Sequence, residues 1–406
     1  MSKPKIRFPQ YADEWRPASL SSIATEINRK APIGSIAPVM MITAANGFIE
    51  QSQRYSTDNT GSSLVNYTLL RKGELAYNHG YSSLRHYGSC FDLKEDEARI
   101  PFVYHAFKVN VGNPEFWGHY LNCGIFDKQL RTMVASTARM DGLLNISFGT
   151  YTSLNIRIPT EDEQNKIAEY FNKYNILIED AQLQIERLKS LKICHLNRLF
   201  PIGGGKTPPM RIEGYTEEWK VKELGEIATK VTEKNTLNSV AEVFTNSAVY
   251  GIISQRDFFD HDIAKKENTG NYFIVSDNDF VYNPRISGTA PVGPINRNRT
   301  GRKGVMSPLY TVFRTHDINP IFLEHYFKSN AWHKYMRYNG NSGARHDRFS
   351  INNDVFFKMP IPVPSPEEQQ QIADYFENID KLIKFHEEEL ERLKSLKESC
   401  LQGMFV

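Results

Sequence analysis

Two stretches of the chain carry a regular seam of apolar positions at alternating steps of four and three. The first runs Ile167, Phe171, Tyr174, Ile178, Ala181, Ile185, Leu188, and the second Ile372, Phe376, Ile379, Ile383, His386, Leu390, Leu393. This is heptad spacing, which predicts two long helices that pair along one face. Thr160 and Ser365 stand at the N-cap positions, with Glu163 and Glu368 three residues on, the signature of two capping boxes. Pro366 occupies the first helical position of the second stretch, where a missing N–H costs nothing. Pro201 and the run Gly203–Gly204–Gly205 end the first helix. A helix of about 36 residues is a rod of roughly 50 Å. An amphipathic helix is most often a plain core element; what changes the reading here is that the pattern occurs twice.

The copies begin PTEDEQNKIAEYF at Pro159 and PSPEEQQQIADYF at Pro364, and both end in ERLKSLK. At this constant offset of 205 residues, 18 of 42 positions are identical. The repeat reaches back through each half: Trp15, Leu20 and Ile23 answer to Trp219, Leu224 and Ile227. Both tryptophans read as packing residues. Each half closes on an alternating strand before its helix, LNIRIP and FKMPIPVP. Between these marks, short apolar runs broken by Gly, Ser and Asn predict short strands and loops with a few helices.

Composition adds limits. With 406 residues, 40% hydrophobic and 24% charged, the chain reads as two globular domains. No apolar run reaches the length of a membrane span, and the start MSKPKIRFPQ lacks the apolar core of a signal peptide. Four scattered cysteines without a CxxC pair argue against structural zinc and a disulfide framework, and for a reducing cytoplasm. The net charge of +2 is low for a nucleic-acid binder, so local distribution matters more.

That distribution is uneven. Phe280 to His316 contains no acid but carries Arg285, Arg297, Arg299, Arg302, Lys303 and Arg314. Leu75 to Phe91 also lacks acids and holds His79, Arg85 and His86 among Tyr77, Tyr81 and Tyr87. The two segments are related: KGELAYNHG (Lys72–Gly80) matches DNDFVYNPRISG (Asp277–Gly288), Tyr77–Asn78 over Tyr282–Asn283. A second landmark, ASTARMDGLLNIS (Ala135–Ser147), reads as a polar connection into a buried strand. It matches SGARHDRFSIN (Ser342–Asn352), with Arg345 over Arg139 and Asp347 over Asp141. Arginine can grip guanine by two bonds, asparagine can read adenine, and several of these side chains can hold phosphates. A single basic loop is as often a solvated surface; two at equivalent places in a duplicated frame favour a DNA-reading role. The candidates are Asn78, His79, Tyr81, Ser83, Arg85 and Arg139 in the first half. In the second they are Asn283, Arg285, Ser287, Arg297, Arg299, Arg302, Lys303 and Arg345. Arg139 and Arg345 could equally be buried braces.

These features resemble the specificity (S) subunit of type I restriction–modification systems along the whole chain. The resemblance rests on the doubled P-[ST]-x-x-E-Q-x-x-I-A-x-[YF]-[FL] helix opening, the ERLKSLK endings, the Gly73–Asn78 landmark and the Ala/Gly-x-Arg landmark. In the second half Asp277–Asn283 lacks the glycine of the first landmark. It implies an α+β chain in which two similar α/β target-recognition domains are separated by two long antiparallel coiled-coil helices, with an internal pseudo-two-fold. The expected divisions are 1–158 and 206–363 for the recognition domains, and 159–205 and 364–406 for the helices. Such subunits are not enzymes. Each domain reads one half of a bipartite asymmetric site in double-stranded DNA, and the helices set the gap between the halves. Two modification subunits bind, using S-adenosylmethionine to methylate adenine at N6, and restriction subunits with ATP- and Mg-dependent translocase and nuclease activity join them. This chain is then expected to hold no cofactor or metal and to lie off the membrane.

Catalytic motifs point the same way. Asn283–Pro284–Arg285–Ile286 is the nearest string to the adenine-methylase motif and lacks its second proline and its aromatic residue. Gly205–Lys206–Thr207 imitates the end of a P-loop, but position 200 is Phe and the segment follows a helix. No HExxH string or close metal set occurs, and His386 reads as a polar seam residue that sets register. Two rivals stay open: a single-chain methylase or nuclease, and a protein–protein adaptor with duplicated domains.

Overall fold

The computed structural model describes residues 3–54, 64, 66–134, 144–258, 269–342 and 347–406. Candidates Arg139 and Arg345 lie outside the described residues. The chain divides into two compact units, one formed by Met1–Gln182 with Glu388–Val406, the other by Leu183–Glu387.

Through the first half run β1 (Arg16–Ser19), β2 (Ala24–Glu26), β3 (Met40–Thr43), β4 (Gly47–Glu50), β5 (Thr68–Arg71), β6 (Leu75–Asn78), β7 (Ser89–Asp92), β8 (Glu97–Ile100) and β9 (His105–Val109). There follow α1 (Pro114–Asn122), α2 (Asp127–Met133), α3 (Phe148–Thr152), β10 (Asn155–Ile158) and α4 (Glu161–Leu196). The second half repeats the series: β11 (Lys220–Glu223), α5 (Leu224–Ile227), β12 (Ala228–Lys230), β13 (Phe244–Ser247), β14 (Gly251–Ser254), α6 (Gln255–Phe258), β15 (Phe273–Val275) and β16 (Phe280–Tyr282). It continues with β17 (Ile295–Arg297), β18 (Gly304–Met306), β19 (Thr311–Thr315), α7 (Pro320–Lys328), α8 (His333–Asn339), α9 (Asn353–Phe357), β20 (Pro360–Val363) and α10 (Pro366–Met404). Among the described residues each unit has one four-stranded antiparallel sheet, in the order β2-β9-β6-β7 or β12-β19-β16-β17, and three two-stranded pairs. The pairs correspond one to one, β1-β10 with β11-β20, β3-β4 with β13-β14 and β5-β8 with β15-β18. The fold is therefore α+β, with one topology used twice and two long helices.

The expected seam is the packed face of both helices. Ile167, Phe171, Ala181 and Ile185 are buried on α4, as are Ile372, Phe376, Ile379, Ile383 and Leu390 on α10. Ile178, Leu188 and Leu393 are half-buried. In the first unit Tyr170 Oη meets Cys400 Sγ at 3.5 Å and Lys397 Nζ donates to Asn175 Oδ1 at 2.6 Å. In the second, Lys189 pairs with Glu387 at 2.7 Å, Lys192 with Asp380 and His195 with Tyr375. Numbers rise on one helix as they fall on the other, so the strips pack antiparallel. No helix among the described residues is long and apolar enough to cross a membrane.

Each helix ends inside a core. Leu196, Leu199 and Phe200 join the core of the second unit, and Leu401, Met404 and Phe405 that of the first. Phe200 stacks on Phe376 (6.2 Å) and meets Trp219 (6.5 Å); Phe405 stacks on Phe171 (5.6 Å) and meets Trp15 (6.4 Å). The tryptophans are packing residues, as their sequence context predicts.

The capping boxes need correction. The Glu163 and Glu368 N–H groups do bond the Thr160 and Ser365 hydroxyls, both at 3.3 Å. Their carboxylates, however, bind Arg7 (2.7 and 2.8 Å) and Arg211 (both 2.9 Å) in two-bond pairs. A guanidinium fork is a better partner for a buried carboxylate than one peptide N–H. The next residue is a second hub: Gln164 accepts from Asn113 N and donates to Pro159 O, and Gln369 does the same with Asn319 N and Pro364 O. Asn113 and Asn319 in turn cap α1 and α7. The shared Glu–Gln pair thus fastens each long helix to its own domain. The buried strand expected after the Arg139 landmark is not formed: Leu144 and Ile146 are buried, but the segment leads into α3.

Candidate nucleic-acid interface

The Tyr–Asn landmark lies at the end of an inner strand of each four-stranded sheet, β6 or β16, and the candidate loop follows it. Tyr77 is buried and stacks on Tyr151 with centroids 3.9 Å apart; Tyr282 stacks on Phe356 at 5.1 Å. These rings fix where the strand stops. The asparagine that follows turns the chain. Asn78 Nδ2 donates to Ile42 O (3.0 Å) while its Oδ1 accepts from Gly80 N (3.0 Å). Asn283 Nδ2 donates to Asn246 O (2.8 Å) while its Oδ1 accepts from Arg285 N (2.9 Å). Both ends of each amide are therefore engaged within the domain, and these two candidates position the loop and its neighbouring hairpin.

His79 is placed inside. It is 7% exposed, and its ring nitrogens meet the main-chain oxygens of Leu144 (2.7 Å) and Val103 (2.8 Å). Its ring stacks on His105 at 5.0 Å, and burial holds His105 below the usual imidazole range. No ring nitrogen of His79 is left to face a base. Tyr81, 61% exposed, Ser83 and Arg85 share the β6–β7 loop, where Ser82 and Arg85 close a turn through two bonds of 3.0 and 3.1 Å. Arg85 is half-buried beside Gly124 and Asp127, while Tyr81 rests on His86 at 5.2 Å.

In the second unit the fold brings acids to the stretch that has none of its own. Arg297 and Arg299 both bond Glu324 Oε2, at 2.8 and 2.7 Å, and Lys328 bonds the other oxygen at 2.7 Å. Arg302 pairs with Glu242 at 3.4 Å, and Arg314 grips Asp279 by two bonds of 2.7 and 2.9 Å. The expected unneutralised basic loop is corrected for these four arginines: their partners lie on other elements. Arg297, with a side chain 9% exposed, is an internal ion-pair member. Burial opposes ionisation of Glu324, but Lys328, Arg299 and Arg297 outweigh it and hold the carboxyl at about 2. Arg285, Ser287 and Lys303 remain on the surface, and no acid pairs with Arg285 or Lys303 among the described residues.

The asparagines lead to an element the charge pattern did not show. Ile42 and Asn246, their partners, lie on the hairpins β3–β4 and β13–β14. The tips read Thr43–Ala44–Ala45–Asn46–Gly47 and Ser247–Ala248–Val249–Tyr250–Gly251, and both glycines have positive φ (66° and 71°). Thr43 Oγ1 accepts from Asn46 N (3.1 Å), and Ser247 Oγ accepts from Tyr250 N (3.2 Å). The Asn–Gly pair between apolar runs was the sequence signal for such a hairpin. Among the described residues no cluster of three or more His, Cys, Asp or Glu is arranged to hold a metal.

Residues 216–395 match the family model of the type I restriction modification DNA specificity domain. The specificity subunit of the type I restriction enzyme MjaVIII from Methanocaldococcus jannaschii is 22% identical over 296 residues. That match covers 68% of this chain and 66% of that subunit, just under two thirds. A solved chain from a study of assembly and conformational transition in a type I R-M system is similar in fold. Its TM-score is 0.53 at 16% identity, over 95% of this chain and 96% of that one. The S subunit from M. genitalium gives a TM-score of 0.51 at 12% identity, over 100% and 99%. With the repeat and its paired helices already in view, these matches show that residues 216–395 carry the DNA specificity domain of type I restriction–modification systems and that the chain as a whole is similar to their specificity subunits.

Proposed function

We propose that this chain is the DNA-reading scaffold of a type I restriction–modification complex. Each domain reads one half of a split, asymmetric site in double-stranded DNA. The long helices set the unread gap and dock two modification subunits, with restriction subunits joining them. The chemistry, adenine-N6 methylation from S-adenosylmethionine and ATP- and Mg-dependent restriction, belongs to those partners.

The observation that carries this reading is one frame built twice with different exposed loops on it. Identical frames predict a similar approach to the duplex, and different loops predict different half-sites. Tyr81, Ser83 and Arg85 in one unit, and Arg285, Ser287 and Lys303 in the other, are the surface groups that can reach bases or phosphates. Apolar side chains off the seam support the docking role: Ile176 is 64% exposed, Ile193 61% and Phe385 59%. The MjaVIII relative is itself named a specificity subunit.

The test is a methylation map. The chain is expressed with its neighbouring modification subunit in a host without adenine methylation, with each protein alone as control, and N6-methyladenine is sequenced. A split motif that needs both proteins is expected. Methylation by this chain alone would make it a methylase; a soluble complex that methylates nothing would favour an adaptor.

A further inference from the structure

The two hairpins beside the Tyr–Asn loops share a register, a closing hydroxyl bond and a tie to the landmark asparagine. Register is the same, Thr43 opposite Gly47 and Ser247 opposite Gly251. The hydroxyl at the start of each tip accepts from the N–H at its end, and the landmark asparagine donates one side-chain hydrogen bond to a main-chain oxygen of each hairpin. In the second unit Asn296 adds bonds to Asn246 Oδ1 (2.7 Å) and Ser247 O (3.1 Å). What differs is the exposed pair at the tip, Ala45–Asn46 in one unit and Val249–Tyr250 in the other. Val249 is 70% exposed and Tyr250 68%, although both are apolar-bodied side chains on a rigid turn.

We propose that these tips are reading elements of the two domains: Asn46 with Ala45 in the first, Tyr250 with Val249 in the second. This rests on the DNA-reading function proposed above. A turn already fixed by its own hydrogen bonds loses little entropy on binding. The tip stands on the same asparagine that aims Arg285, and Arg285 has no acid to satisfy it among the described residues, so the local charge suits a polyanion. Asparagine at a tip can bond adenine through two atoms, whereas the Val249–Tyr250 pair presents exposed apolar surface that suits a thymine methyl. The tips therefore differ in the base they can prefer, on hairpins of the same register.

The hairpins provide their own exchange partners. Val249→Ala with Tyr250→Asn places the first tip on the second hairpin, and Ala45→Val with Asn46→Tyr does the reverse. Each swap installs residues that the same turn already accommodates. Both variants and the wild type are co-expressed with the modification subunit, and the N6-methyladenine motif is read for each, with melting temperature as the folding control. Each swap is expected to change bases in one half-site only, a different half for each, and to lower methylation of the original site roughly 5- to 100-fold. An unchanged motif in both swaps overturns the proposal, and so does a uniform fall in methylation with the motif retained, which would make the tips a backbone grip. Loss of the modification subunit on co-purification, with the motif otherwise kept, would make them a protein contact and overturn it too. A wild-type complex without a split motif would instead sink the underlying function.

Discussion

Arg285 and Arg297 look alike in the sequence and differ in the fold. Arg285 is exposed beside the landmark asparagine, while Arg297 shares Glu324 with Arg299 and Lys328. Arg285→Ala should leave the melting temperature alone and relax one position of the methylation motif by about 1–3 kcal/mol. Arg297→Ala should do the reverse, costing about 1–3 kcal/mol of stability with the motif intact; an altered motif at unchanged stability would return Arg297 to the DNA face. His325 on α7 is fully buried and stacks on Phe376 at 4.6 Å, and neither ring nitrogen has a hydrogen-bond partner among the described residues. Burial, then the nearby Lys328, hold it at about 2, against 6.5 for an ordinary imidazole; Glu324 acts the other way, and Lys192 and Arg299 add to the depression. Below about pH 6.5 the unfolded chain binds this proton and the folded chain does not, so stability falls as pH falls, by about 1.4 kcal/mol per pH unit. His325→Phe should flatten the acid limb in urea unfolding at pH 5 and pH 8; curves that stay parallel to wild type would assign the acid sensitivity elsewhere, with His119, held at about 4, the next candidate.

At the scale of elements, both long helices were legible because their signal is local. The seam needs only neighbours a turn apart, and its N-caps lie one step before it. The use of the capping glutamates was not legible, because the partner of Glu163 is Arg7, 156 residues upstream. The same limit explains the basic stretch: its six cations are visible in sequence, but Glu324 arrives on α7 and Glu242 ahead of β13. The inward placement of His79 was not legible for a related reason, since main-chain carbonyls that meet a ring leave no trace in composition. The hairpin tips were in reach through Asn46–Gly47, but with a tyrosine in place of asparagine the second copy hid the pattern. The Arg7–Glu163 pair has a measurable consequence. Glu163 is 1% exposed, so Arg7→Ala leaves a buried carboxylate without its fork and should cost about 3–5 kcal/mol. Arg7→Leu combined with Glu163→Leu should recover most of that in urea unfolding; a double variant as weak as the single would mean that the loss is one of packing, not of an unpaired charge.

At the scale of the molecule, one unit is a continuous stretch, Leu183–Glu387, and the other is drawn from both parts of the chain, Met1–Gln182 with Glu388–Val406. The second contribution is a core element. Leu401, Met404 and Phe405 lie with Trp15, Phe116 and Tyr120; Tyr120 Oη donates to Val406 O at 2.6 Å, and Ile6 N to Gly403 O at 2.9 Å. At Gly403 an added Cβ would stand 2.6 Å from Ile6 Cδ1, so glycine permits that approach. Removing Leu401–Val406 takes three buried side chains from this core, and an aromatic of this kind alone is worth about 3–5 kcal/mol. That is comparable to the whole stability margin of an ordinary domain. The truncated chain should therefore lose hydrogen-exchange protection across the strands of residues 1–182 while those of 183–387 stay protected, and in the methylation assay it should lose one half of the motif before the other. Phe200→Ala, the equivalent lesion in the second core, should give the mirror pattern. Equal loss of protection in both units from either change would mean that the two cores unfold as one, and that the duplicated plan does not confer independent stability.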